Sequence, residues 1–191
     1  MNKKIIKRKL KFIKEPIKKI VSNTKIRRAS RYAEYYKKLP IEKNTILYES
    51  RDGNSITDSP YAMFLYMLKN PDFKDYVHIW SVEDFEVLSS IISRYETHHN
   101  VKFVKRNSKE YLKYLASSEY LINNSTFQSF YTPRPDQIYI NTWHGTPLKV
   151  MGFDIPGNPS HSQNVVRNFL STSIFLVLML ILQKCLHIAT S

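Results

Sequence analysis

Cysteine is all but missing: Cys185 is the single one in 191 residues. That excludes an internal disulfide and any multi-cysteine metal centre, and it fits a reducing compartment. Glycine is scarce as well, confined to positions 53, 145, 152 and 157. Neither a G-x-G-x-x-G turn nor a P-loop can be written with so few. No apolar run approaches the roughly 20 residues of a membrane-spanning helix. The longest, Ile174 to Leu182, has nine. The N-terminus lacks the uninterrupted apolar stretch of a secretory signal. What is present, 42% hydrophobic and 24% charged residues, excludes a disordered polar chain and suits about one globular domain.

Acidic residues are the other shortage, and it is local. Residues 1–38 hold 15 of the 29 Lys/Arg but only Glu15 and Glu34 of the 16 acids, a net of +13. The remaining residues carry 14 of each and are neutral. The high isoelectric point therefore describes one end of the chain and says nothing about the fold. Within that end Ile5, Ile6, Leu10, Phe12, Ile13, Ile17, Ile20 and Val21 recur at three- and four-residue steps. The pattern predicts a basic amphipathic helix over a leader of residues 1–40, broken or kinked at Pro16. Its cations Lys3, Lys4, Lys7, Arg8, Lys9, Lys11, Lys14, Lys18 and Lys19 suit an anionic membrane surface, at about 1 kcal/mol each. A nucleic-acid arm or a plain solvated extension are the alternatives. The apolar stripe favours the membrane, because an arm that reads phosphates does not need one; no nucleic-acid partner is expected. Tyr32, Tyr35 and Tyr36 read either as an interfacial aromatic belt or as the packing face of a joining helix.

From about residue 45 the pattern changes. Short apolar strands are predicted at 45–49, 77–80, 101–104, 120–123 and 137–141. Between them, helices are predicted from Ser59-Pro60 onward, over 85–95 and over 110–116. Ser59 is the expected N-cap of the first, and Ala62, Leu65, Tyr66 and Leu68 its expected buried stripe. Strands alternating with helices predict a parallel sheet in an α/β layer fold over residues 41–176. Sites in such sheets form at the carboxyl ends of the strands. Two ends carry chemistry: Asn123-Asn124-Ser125-Thr126, and Thr142-Trp143-His144-Gly145-Thr146-Pro147-Leu148-Lys149. In the second, Gly145 lets backbone approach a ligand. His144 can take a proton from a hydroxyl near neutral pH, and Lys149 can hold a phosphate. On these residues alone, a structural histidine packed beside Trp143 remains an open alternative.

The run from Tyr139 to Lys149, with Gly152 and Asp154 beyond it, resembles the CDP-glycerol glycerophosphotransferase family. These are the teichoic acid primases and polymerases of Gram-positive bacteria. Tyr48-Glu49-Ser50 to Gly53, Asp58-Ser59-Pro60, Tyr120 to Asn124 and Val166 to Leu170 are similar to further family segments, in the same order. The resemblance implies a GT-B architecture, two Rossmann-like domains facing a cleft. It implies attack by a glycerol-phosphate hydroxyl of a lipid-linked polyol-phosphate acceptor on the β-phosphorus of CDP-glycerol, with release of CMP. His144 matches the family's first-domain histidine and is implied as general base. Gly145, Thr146 and Lys149 are implied at the phosphate, with Asn124 lining the same cleft. A peripheral place on the cytoplasmic face of the cell membrane is implied by the acceptor. No cofactor and no metal site is expected.

The likeness fades after about residue 176, so residues 177–191 are expected to be an apolar, non-native tail. A frameshift or early stop that removes the donor domain is the expected cause, and a tail that docks on the first domain as a helix is the alternative. Two other functions stay open. One is transfer of a related polyol phosphate, from CDP-ribitol or into a capsule polymer. The other is a non-catalytic fragment that binds the membrane surface.

Overall fold

The computed structural model describes residues 22–144 and 163–176. Six strands follow the chain: Glu42–Glu49 (β1), Val77–Val82 (β2), Val101–Lys105 (β3), Ser118–Asn123 (β4), Ile138–Asn141 (β5) and Ile174–Phe175 (β6). They hydrogen-bond in the order β3-β2-β1-β4-β5-β6, and every pairing is parallel. Such strands are covered on both faces, so they read as continuous apolar runs and their residues divide between two cores. Leu47, Ile79, Leu121 and Tyr139 face one core. Ile46, Tyr48, Trp80, Val82 and Ile122 face the other.

Among the described residues the α-helices are Thr24–Lys38 (α1), ahead of β1, and, between strands, Asp58–Lys69 (α2), Ser89–Ile92 (α3), Lys109–Ser117 (α4) and Gln163–Leu170 (α5). Helices α1 and α4 supply Tyr32, Tyr111, Leu112 and Leu115 to the first core. Helix α2 supplies Phe64 and Met67 to the second. The strand order reverses between β1 and β4, and in open α/β sheets such a reversal is where ligands bind, at the carboxyl edge. None of the helices among the described residues is long and apolar enough to cross a membrane.

Helix α1 lies inside the segment read as a leader, yet it packs on the domain. Asn23 caps it, its side-chain oxygen accepting from the backbone of Lys25 at 2.9 Å. Pro40 stops it by forcing Leu39 into an extended conformation. Tyr32 is buried, and its hydroxyl donates to the Thr132 carbonyl at 2.6 Å. Of the two readings of the tyrosines, packing is the one observed: Tyr35 and Tyr36 lie partly buried against the same core. The lysines and arginine at 3–19 lie outside the described residues, as do 177–191.

Two sequence expectations are corrected. Helix α2 begins at Asp58, with Thr57 at the cap position, and buries Pro60, Phe64 and Met67. Tyr66 of the expected stripe is 64% exposed and Ala62 is exposed too. The cause is at the N-terminus, where Asp58 adopts a left-handed φ of 60° and its carboxylate is taken by neighbours rather than used as a cap. The helix expected over 85–95 shrinks to α3 and two turns. Here short polar side chains compete with the helix for backbone groups. Asp84 Oδ1 accepts from Glu86 and Val87, while the hydroxyls of Ser89 and Ser93 donate to the carbonyls of Glu86 and Ser90.

A histidine sits inside the second core. His78 is fully buried, with Nδ1 at 3.0 Å from the Tyr48 hydroxyl and the Phe64 ring edge-on at 5.3 Å. Its Nε2 is buried with no hydrogen-bond partner. Burial pushes its pKa from the ordinary 6.5 down to about 4. The unfolded chain therefore holds more protons between those values, and stability that is full above pH 6.5 is lost as pH falls toward 4. Urea unfolding at pH 7.5 and 5.5 should show about 1 kcal/mol lost from this group. The loss should vanish in His78→Phe; a slope unchanged in that variant contradicts the assignment.

Candidate active site at the carboxyl edge

Strand β1 ends in Glu49, a carboxylate with no solvent exposure. An uncompensated charge cannot remain there, so its neighbours are all donors. Arg106, just past β3, donates from Nε to Oε2 at 3.1 Å and from Nη2 to Oε1 at 3.3 Å. Ser81 of β2 donates to Oε2 at 2.8 Å, and Asn123 of β4 approaches Oε1 at 3.5 Å. Arg106 Nη2 also reaches Asp52 at 2.8 Å. Burial raises the Glu49 pKa above its ordinary value, while Arg106 and Ser81 pull it down without prevailing. Burial opposes the charge on Arg106 as well, but there the Glu49 carboxylate wins and holds the guanidinium protonated.

The chain leaves β1 through a tight turn, Arg51–Gly53, with left-handed φ of 47°, 59° and 79° in succession. Glycine is required at the third position. A Cβ there would stand 3.0 Å from the Glu83 nitrogen and 3.2 Å from Arg106 Cδ. The Gly53 carbonyl meanwhile accepts from Glu83 at 2.8 Å.

Asn124 stands opposite this turn, across the reversal of strand order, and is fully buried. Its Oδ1 accepts from the Arg51 backbone at 2.9 Å. Its Nδ2 donates to Ser50 Oγ at 3.2 Å and to Asp58 Oδ2 at 3.0 Å. Asp58 in turn accepts from Arg51 Nε at 3.1 Å. Both N–H donors of the amide and one acceptor position of its oxygen are thus matched within the protein.

The backbone carbonyl of Asn124 meets the Nδ1 of His144. A carbonyl only accepts, so Nδ1 carries the proton and the neutral ring presents Nε2 with a free lone pair. His144 is exposed. Trp143 stacks on it at 4.7 Å and itself meets Phe169 of α5 edge-on at 5.0 Å. A left-handed Trp143, φ 49°, is an unusual conformation for a bulky residue. Asn141 holds it there, Oδ1 accepting from the Trp143 backbone at 2.8 Å while Nδ2 donates to Ser125 and Tyr139.

Of the residues expected from sequence, Asn124 and His144 are brought into contact. Gly145, Thr146 and Lys149 lie outside the described residues. The sequence reading gave no role to Glu49, Arg51, Asp58, Ser81 or Arg106. One signal was available: a glutamate closing a strand that must be buried on both faces calls for a cation nearby, and Arg106 follows the next strand but one. Among the described residues, no three His, Cys, Asp or Glu side chains are grouped to hold a metal ion.

A family model for CDP-Glycerol:Poly(glycerophosphate) glycerophosphotransferase matches residues 32–179. The teichoic acid poly(glycerol phosphate) polymerase of Bacillus spizizenii is 32% identical over 138 residues, 69% of this chain and 33% of the relative. The teichoic acid glycerol-phosphate transferase of Staphylococcus aureus is 34% identical over 146 residues, 75% of this chain and 33% of the relative. The chain thus spans about a third of these relatives. A solved structure of the wall teichoic acid polymerase TagF superposes with a TM-score of 0.66 at 24% identity, over 92% of this chain and 41% of that one. That likeness shows the fold: a Rossmann-like layer of the GT-B type.

Arg106→Ala should remove on the order of 3 kcal/mol from the unfolding free energy, because it strands the buried Glu49 carboxylate. Urea denaturation at pH 7 checks this. A loss under about 1 kcal/mol, the range of a surface ion pair, contradicts it.

Proposed function

The chain belongs to the CDP-glycerol:poly(glycerophosphate) glycerophosphotransferase family, and on that premise we propose that its carboxyl edge activates an acceptor hydroxyl for glycerophosphate transfer. The acceptor is a lipid-linked glycerol phosphate and the donor is CDP-glycerol. The acceptor hydroxyl attacks the β-phosphorus as its proton passes to Nε2 of His144. The bond between the two phosphates breaks, and CMP leaves.

The observation that carries this reading is the contact between His144 Nδ1 and the Asn124 carbonyl. It fixes the proton on the inner nitrogen and leaves the outer one basic, on an exposed ring at the carboxyl edge. Gly145, Thr146 and Lys149, next along the chain, are the proposed phosphate-holding set. The basic residues at 3–19 are the proposed contact with anionic lipid, and the cytoplasmic face of the membrane is the proposed site of the reaction. Ribitol phosphate in place of glycerol phosphate meets the same chemistry at His144.

One observation favours a second reading, membrane binding without turnover: the +13 charge gathered in the first 38 residues. CMP release from CDP-glycerol on acceptor-loaded anionic vesicles separates the two. Turnover should fall by about 10²–10⁴-fold in His144→Ala, the usual contribution of a general base. Turnover that survives the substitution overturns the assignment of His144. Vesicle binding with no turnover in the unsubstituted chain supports the second reading.

A further inference from the structure

We infer that Asn124 is a positioning residue: it sets the direction of the basic nitrogen of His144 and couples it to the turn after β1, and its side chain does not bind substrate. The inference rests on the reading of His144 as base and deepens it.

Three observations carry it. The first is that both N–H donors of the amide, and its oxygen, are already bonded within the protein. Asn124 has one acceptor oxygen and two N–H donors. The oxygen takes the Arg51 backbone, and the donors go to Ser50 and Asp58. No N–H of the amide is left for a substrate, and Asn124 is fully buried. The second is that the same residue's carbonyl is the partner of His144 Nδ1. Side chain and carbonyl branch from one Cα, so anchoring the amide on three partners restricts where the carbonyl points. The third is where those partners lie. Ser50, Arg51 and Asp58 come from the end of β1, the turn after it and the start of α2, whereas His144 follows β5. Asn124 links the two sides of the strand-order reversal.

The chemical consequence concerns the tautomer. A neutral imidazole carries its proton on either nitrogen, and the hydrogen bond made by one decides which. With the Asn124 carbonyl in place, Nδ1–H is selected and Nε2 accepts. With that carbonyl displaced, the preference weakens and part of the population carries its proton on Nε2, where it cannot accept one from the acceptor hydroxyl.

The test reads the ring directly, in the full chain and without substrate. Chains with ¹⁵N-labelled histidine are compared by long-range ¹H–¹⁵N correlation, with His144→Ala assigning the signal among six histidines. The unsubstituted chain should show a protonated Nδ1 and a pyridine-like Nε2. Asn124→Ala should move both shifts toward a tautomer mixture. Its kcat for CMP release should fall about 100-fold, the scale of a small misplacement of a catalytic group, with KM for the acceptor within about threefold. Asp58→Ala removes one anchor from a side chain that is 35% exposed, and should move the shifts the same way by less. That variant keeps the test in force where Asn124→Ala does not fold. Unchanged His144 shifts in either folded variant overturn the inference, whatever happens to melting temperature. So does a rise in acceptor KM with kcat held, which marks a substrate contact. The ring signal stands apart from turnover, so failure of the positioning role and failure of the proposed reaction are told apart.

Discussion

One buried carboxylate organises the carboxyl edge of this sheet. Glu49 lies at the end of β1, with no exposure, and its partners come from three other places. Ser81 belongs to β2, Asn123 to β4, and Arg106 follows β3. The bonds that satisfy one charge therefore tie together the ends of four adjacent strands, β3, β2, β1 and β4. Charge burial of this kind is weak evidence for stability, because desolvation offsets much of the attraction. Its effect is to fix geometry: a misplaced strand end would leave either Glu49 or Arg106 without a partner.

Around that pair the rest of the edge is built from asparagine amides. Asn123 accepts from the Ser125 backbone, Asn124 holds the turn after β1, and Asn141 holds Trp143 in a left-handed conformation. Asn168 of α5 accepts from the Phe127 backbone at 2.8 Å and returns a bond to its carbonyl at 3.2 Å. All four are fully buried. An amide both donates and accepts, so it can satisfy irregular backbone that no strand or helix ladder reaches. That property lets loops at the strand ends hold one shape, and His144 inherits its orientation from it.

The parallel sheet was legible because strands covered on both faces leave continuous apolar runs, and β1 through β5 each fall within a residue or a few of their expected places. Strand β6 was not separated from the apolar stretch that begins at Ile174, since two residues carry no period. The short helix α3 was overread because the apolar spacing over 85–95 hid the serine and aspartate bonds that stop a helix. At the site, His144 and Asn124 stood out by residue type and by resemblance. That Asn124 spends its amide on the protein was not legible, since it depends on a left-handed Asp58 and on a strand more than sixty positions earlier in the chain. Glu49 and Arg106 are separated by two strands' worth of sequence, and only the sheet order brings them together.

The central claim is that the carboxyl edge between the ends of β1 and β4, with His144 beside it, receives a phosphorylated alcohol. Backbone amide shifts of the ¹⁵N-labelled chain titrated with glycerol 3-phosphate test it most directly. The account predicts that the largest changes fall on Arg51–Gly53, on residues 123–125 and on His144. Changes confined to the amino edge, around Tyr66, Tyr76 and Tyr120, with the carboxyl edge unmoved, would contradict it.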